Sequence, residues 1–296
     1  RYDEAASGLS IHDRRYANLT PADRADVVLG AERAARTTDR RVSTGRFEYE
    51  DRLIRRYFGN SRGVRLNDVS TTYDVRGSVS LSVDDVVLYG GVSSRLFATI
   101  ASLPFGIQLG QRATALLKKS APRPEGPVTV VLSSRAMAKL VAWMGEAMEP
   151  EKIEAGATFL RPRDPVVRVF GEQIHLVDDA TLPGGLRTYA FDDRGVPPVP
   201  LTLIREGYLS GWPIHPTVAG RLNVRPTGHC FQKGTRCSNL RLKGGTRTVR
   251  AHLSEKGLSV FVVDDLPDLS GLKAKSGKIN VVVHGEWMNG TEEVGP

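Results

Sequence analysis

The sequence predicts an α+β protein: an N-terminal mixed α/β segment over residues 1–125, then a mainly antiparallel β domain over residues 126–296. That second domain is expected to be barrel-like or sandwich-like, with one prominent helix. Three observations carry this. Thr20-Pro21 followed by Asp23 opens a helix early, residues 120–127 place three prolines and a glycine where neither helix nor strand is favoured, and short apolar runs separated by turn residues dominate beyond them.

Taken in order, a hydroxyl cap, a proline at the first helical position and an acid at the positive end of the dipole predict a helix from Thr20 to about Thr38. Residues 53–58 read as a strand ending in the turn cluster Gly59-Asn60-Ser61-Arg62-Gly63, which suits a hairpin. Residues 75–88 alternate as a strand does. Residues 93–119 are helical in composition, with Pro104 and Gly106 expected to break them into two. The later piece carries Leu109, Ala113, Leu116 and Leu117 on one side. After the 120–127 boundary, residues 128–132 form a buried-type strand and residues 134–148 a helix whose Met137, Leu140, Val141 and Met144 recur at helical spacing, a core-filling use of methionine. Seven segments then read as strands: 166–170, 173–177, 186–191, 201–205, 246–252, 258–263 and 278–284. There is no internal repeat.

At 296 residues the chain can bury a sizeable core, and 25% charged with 40% apolar residues argues against disorder. No apolar run is long enough for a membrane span. The chain opens on Arg1-Tyr2-Asp3-Glu4, without Met or an apolar leader, as an excerpt or processed chain would. Two cysteines make no disulfide framework, which points to the cytoplasm. The 41 Lys+Arg against 33 Asp+Glu give a net +8, clustered early, but acids are interleaved and no aromatic-plus-basic pattern accompanies them, so nucleic acid is not an expected partner.

A helical zinc pair needs two histidines on one side with a glutamate nearby. None of the six histidines (His12, His175, His215, His229, His252, His284) is followed by Glu, and none has a second His four or five residues on. The helix over residues 135–148 has no histidine, and Glu146 is its only acid. His229-Cys230 with Cys237 offers zinc-compatible donors, but a fourth ligand is missing and the spacing matches no structural knuckle. A Cys–His nucleophile fits poorly too, since adjacent strand residues point to opposite faces. The acidic pairs Asp178-Asp179 and Asp192-Asp193 precede glycine-bearing turns, and Asp at such places caps backbone amides. Turn formation is the favoured reading. No catalytic residue and no metal ligand is assigned.

The stretch from Leu176 to Cys230 combines those acidic pairs with Thr181-Leu182-Pro183-Gly184-Gly185, Gly195-Val196-Pro197 and Thr227-Gly228-His229. This order and spacing resembles the TldD/PmbA family. Phe58-Gly59-Asn60-Ser61-Arg62-Gly63, Ala157-Thr158-Phe159-Leu160, Ile204-Arg205-Glu206-Gly207-Tyr208-Leu209 and Cys237-Ser238-Asn239-Leu240 extend the similarity over most of the chain. The first part of the family's N-terminal domain and the C-terminal end, where metal subunits supply a Cys ligand, have no counterpart here. The resemblance implies one half of a heterodimeric zinc peptidase. Lack of His-Glu-x-x-x-His, whose i,i+5 histidines stand about 140° apart on an ideal helix, places this chain on the PmbA (TldE) side. It then implies no cofactor in this chain, zinc in a TldD-like partner subunit carrying that motif, and a closed chamber admitting small or unfolded peptides. The residues expected to face the peptide substrate are Thr227, Gly228 and His229 with the turn of Asp192, Asp193 and Gly195. A pair specialised to cleave an amide in a peptide-derived biosynthetic intermediate, or a non-catalytic binding protein, are the alternatives.

Overall fold

The computed structural model describes residues 3–4, 8–82, 84–117, 128–161, 168–232, 234–244, 259–289 and 292–295. Contacts divide the chain into two compact units, Arg1–Lys119 with Leu182–Ala190, and Ser120–Thr181 with Phe191–Pro296. Antiparallel sheets and a few helices make the α+β class expected from the sequence. The Pro-rich boundary at 120–127 lies outside the described residues.

The first unit runs β1 (Asp3–Glu4), a 3-10 turn at Arg14–Asn18, α1 (Pro21–Arg36), β2 (Val42–Gly59), β3 (Arg65–Leu81), β4 (Asp84–Ser94), α2 (Phe97–Ser102) and α3 (Phe105–Ala115). The N-terminus of α1 closes as its sequence demands. Thr20 Oγ1 accepts from the Asp23 amide at 3.1 Å, and the Asp23 carboxylate accepts from the Thr20 amide at 2.8 Å. β3 is the centre of the sheet, antiparallel to β2 on one edge and to β4 on the other, with β1 pairing in parallel at Leu66 and Asn67. The strand expected at 53–58 is thus the end of a much longer one. The strand expected at 75–88 is two: the chain turns after Leu81 and returns as β4 against β3. On β3, Thr71, Tyr73, Val75, Val79 and Leu81 point to one face at period two and are buried. The apolar ones pack with Ala35 of α1, Ile100 of α2, and Phe105, Leu109 and Ala113 of α3.

Gly106 does not break the helix as expected; Pro104 does, standing at the N-cap of α3, and Gly106 lies inside it. A Cβ at 106 would sit 1.9 Å from the Ala31 carbonyl oxygen, and one at 110 would sit 2.4 Å from Thr38 Oγ1. These glycines, one turn apart, let the backbones of α1 and α3 approach closely. Gly106→Ala should therefore cost about 3 kcal/mol in urea unfolding, because backbone must move. Gly30→Ala, in α1 with nothing within 4 Å of the added methyl, should be neutral or stabilising by up to about 1 kcal/mol. Equal effects would contradict the close approach.

Residues 186–191, expected as a strand, are not one. Arg95, 7% exposed, takes the carbonyls that a ladder would need. Its guanidinium donates to Gly185, Leu186 and Thr188 at 3.1, 2.7 and 3.1 Å, and to Thr71 at 3.0 Å. Asp68 accepts from the Ala190 amide at 3.3 Å and from Arg56 through two N–H groups.

The second unit contains β5 (Thr129–Leu132), α4 (Ser134–Ala147), α5 (Pro150–Glu154), β6 (Leu176–Asp178), β7 (Leu201–Arg205), β8 (Tyr208–Leu209) and α6 (Pro216–Leu222). There follow β9 (Cys230–Phe231), β10 (Gly234–Thr235), β11 (Leu240–Leu242), β12 (Ser259–Asp265), β13 (Leu272–Lys273), β14 (Lys278–Ile279), β15 (His284–Asn289) and β16 (Glu292–Gly295). One sheet is ordered β11-β6-β7-β8 and another β16-β15-β12-β5, antiparallel except for the parallel β12–β5 pair; β9-β10 and β13-β14 are ribbons. Both larger sheets are open, so no barrel closes among the described residues. The expected strands at 201–205 and 258–263 appear as β7 and β12. That at 173–177 shrinks to β6, after a turn in which the Ile174 amide donates to the Gly171 carbonyl. Segment 166–170 keeps a single bridge between Arg168 and Tyr208 among its described residues. Segment 278–284 divides between β14 and β15, and 246–252 lies outside the described residues.

Ser133 caps α4, its hydroxyl accepting from the Ala136 amide. Met137 and Met144 pack against the core of Val141, Met148, Leu160, Leu176, Leu203, Ile204 and Leu209, as the helical spacing predicted. β7 and β8 join through Glu206-Gly207, both at positive φ (51° and 80°), the geometry of a tight type I′ hairpin. No helix among the described residues is long and apolar enough to cross a membrane.

Candidate functional site

The residues singled out by sequence come together in the second unit through backbone chemistry. β11 pairs with β6 in the register Leu240↔Asp178, which sets Ser238 beside Asp178. Asp178, fully buried, accepts from the Ser238 amide at 2.9 Å and from its hydroxyl. Its Oδ2 lies 3.3 Å from Nε2 of His229, whose side chain is also fully buried. On the other side of the ring, Nδ1 is 2.8 Å from the Thr227 carbonyl oxygen. A carbonyl only accepts, so Nδ1 carries the hydrogen. The same carbonyl accepts from the Val199 amide at 3.2 Å, and Thr227 Oγ1 accepts from the Ile214 amide at 2.8 Å. His229 is thereby oriented from both ends.

Asp192 is equally committed. It is fully buried, and Oδ1 accepts from the amides of Arg194 and Val196, both at 2.9 Å, while Oδ2 accepts from the Cys230 amide at 3.0 Å. Its carbonyl accepts from Gly195, which sits at φ 72°. The Asp193 amide donates to the Cys230 carbonyl and its carboxylate accepts from the Gln232 amide. Asp179 accepts from the amide and hydroxyl of Thr181. Both acidic pairs therefore serve backbone amides, the use that turn chemistry assigns them. Gly228, at φ 72°, is where the chain passes closest to Pro197: a Cβ there would stand 2.4 Å from the Pro197 carbonyl oxygen.

This arrangement bears on what chemistry the chain can perform. A serine nucleophile needs imidazole between hydroxyl and carboxylate; here the carboxylate of Asp178 lies between Ser238 and His229, so no base faces the hydroxyl. Burial pushes the Cys230 thiol above its ordinary range, with Arg194 opposing, and a protonated thiol is a poor nucleophile. Cys237, also buried, places its sulfur 3.7 Å from the Gly145 carbonyl oxygen. His229, Cys230 and Cys237 do not converge, and among the described residues no three His, Cys, Asp or Glu side chains group as a metal site. The helix α4 presents Ala136, Val141, Gly145 and Ala147 to the interior. Its donor set does not fit a zinc ion. Sequence reasoning found His229 and the acidic pairs, but missed that Asp178 is the partner of His229, a link that only the β6–β11 register reveals.

Comparison with known proteins agrees with this picture. The PmbA/TldA metallopeptidase central domain matches residues 14–120, and the C-terminal domain of the same family matches residues 125–296. A metalloprotease of Methanocaldococcus jannaschii is 24% identical over 76% of this chain, and the chain spans about half, 52%, of that relative's length. Three solved structures share the fold over the whole chain. One from Thermotoga maritima, described as a modulator of DNA gyrase, has TM-score 0.85 at 21% identity, with 69% of it covered. Another so described, from Bacteroides thetaiotaomicron, has 0.82 at 18%, with 66% covered. TldE from Thermococcus kodakarensis has 0.76 at 17%, with 69% covered. With both domain models together spanning nearly all of its length, the chain belongs to the PmbA/TldD metallopeptidase family.

Proposed function

We propose that this chain is a TldE-like, non-metal subunit of a cytoplasmic heterodimeric peptidase, shaping a chamber in which a TldD-like partner's zinc cleaves small or unfolded peptides. The observation that carries this is the donor set: a metallopeptidase-family chain with no His-Glu-x-x-x-His anywhere in its sequence and no histidine on the helix where that motif belongs. The likeness in fold to TldE is in keeping with it. Thr227, Gly228 and His229, with the Asp192, Asp193 and Gly195 turn, form the rigid backing of the chamber wall. An extended peptide is held chiefly by main-chain hydrogen bonds, a mode in which the exact path of the backbone sets affinity.

Co-expression with a family member bearing His-Glu-x-x-x-His tests this. The expected result is a recovered complex that cleaves unfolded peptides, with neither chain active alone. In that complex His229→Gln, which keeps most of the volume, should lower peptide cleavage about tenfold or more through lost positioning while complex recovery is unchanged. Unaltered cleavage would remove His229 from the chamber wall.

A further inference from the structure

Away from the His229 network, the second unit carries a cleft of about 420 Å³ lined by Pro150, Ile153 and Glu154 of α5, by Arg161, by Leu209 at the end of β8, and by Trp212. Its lining is mostly apolar: an indole, three aliphatic side chains or rings, and two charged groups of opposite sign. Leu209 is 4% exposed and belongs to the core, so that wall is rigid. Ligand pockets of this size take one small molecule by an apolar body and a few placed polar groups. A guanidinium matches a carboxylate, an acid matches an ammonium, and the apolar walls match a hydrocarbon side chain.

We infer that this cleft binds a free apolar α-amino acid, or the equivalent zwitterionic end of a very short peptide, with the carboxylate on Arg161, the ammonium on Glu154 and the side chain against Ile153, Leu209 and Trp212. The choice of ligand rests on the peptidase reading, since such zwitterions are what complete peptide cleavage releases. It adds to that reading a site for product, distinct from the His229 network. No bond is made or broken there.

Isothermal titration of the isolated chain with L-leucine, N-acetyl-L-leucine and L-leucinamide tests it. Saturable leucine binding is expected, with each capped probe about tenfold weaker, the loss expected for one charge-assisted hydrogen bond. Arg161→Gln should abolish the penalty for amidation, and Glu154→Gln the penalty for acetylation. Both side chains are exposed, so both variants should melt as the parent does. Equal binding of all three probes, or no leucine binding, would overturn the assignment; acetyl-leucine binding as well as leucine would do so too, marking a plain carboxylate site. Leucine binding without recovery of a metal-bearing partner would remove the peptidase reading and leave the cleft standing. Partner recovery without leucine binding would do the reverse.

Discussion

Asp192→Ala is expected to destabilise the second unit by about 3–5 kcal/mol in denaturant unfolding, among the largest effects available to one substitution. The carboxylate is fully buried and accepts three backbone amides, those of Arg194, Val196 and Cys230. Alanine leaves all three donors buried without a partner, each an unrepaid desolvation. Asn should cost less, about 2 kcal/mol. Its oxygen can keep the Arg194 and Val196 amides, while its NH₂ faces the Cys230 N–H donor to donor. Near-parental stability of the alanine variant would show that water reaches these amides. The same substitution should also release the strand at Cys230, the chain neighbour of His229, so protease cleavage near residues 192–196 should rise with the stability loss.

The second large effect is expected at Gly228. Gly228→Ala should cost about 3 kcal/mol or more, from two additive causes. The positive φ of 72° penalises any Cβ by about 1 kcal/mol. The methyl would also stand 2.4 Å from the Pro197 carbonyl oxygen and 2.6 Å from Pro198 Cα, both backbone atoms that yield only by moving the chain. Gly63→Ala separates the two. Its φ is 83° with nothing within 4 Å of the added methyl, so it should lose only about 1 kcal/mol. If both variants lost the same amount, the close approach of Gly228 to Pro197 would be disproved.

Local chemistry made much of this chain legible before its structure. The Thr20-Pro21-Asp23 start of α1, the Asn60–Gly63 turn, the α2–α3 break at Pro104 and the core use of Met137 and Met144 each depend on residues within a few positions of one another. The acidic pairs were legible for the same reason, as an aspartate caps amides two and four residues on. What escaped was non-local. The length of β2 was hidden because Glu48, Glu50 and Arg52 interrupt its apolar pattern, on the sheet face away from the buried side chains of β3. Residues 186–191 have a strand's composition, but Arg95, some ninety positions earlier, takes their carbonyls. Gly106 reads as a breaker until Ala31 is seen against it. Asp178 and His229 stand fifty-one positions apart, and nothing in either neighbourhood announces the other.

The zinc content of this chain, purified alone from metal-replete cells, tests the central claim most directly. A partner subunit without a zinc site should carry near-zero zinc per chain, and should acquire zinc only in a complex with a chain bearing His-Glu-x-x-x-His. Stoichiometric zinc in the isolated chain, lost on replacing His229 or Cys230, would contradict the account.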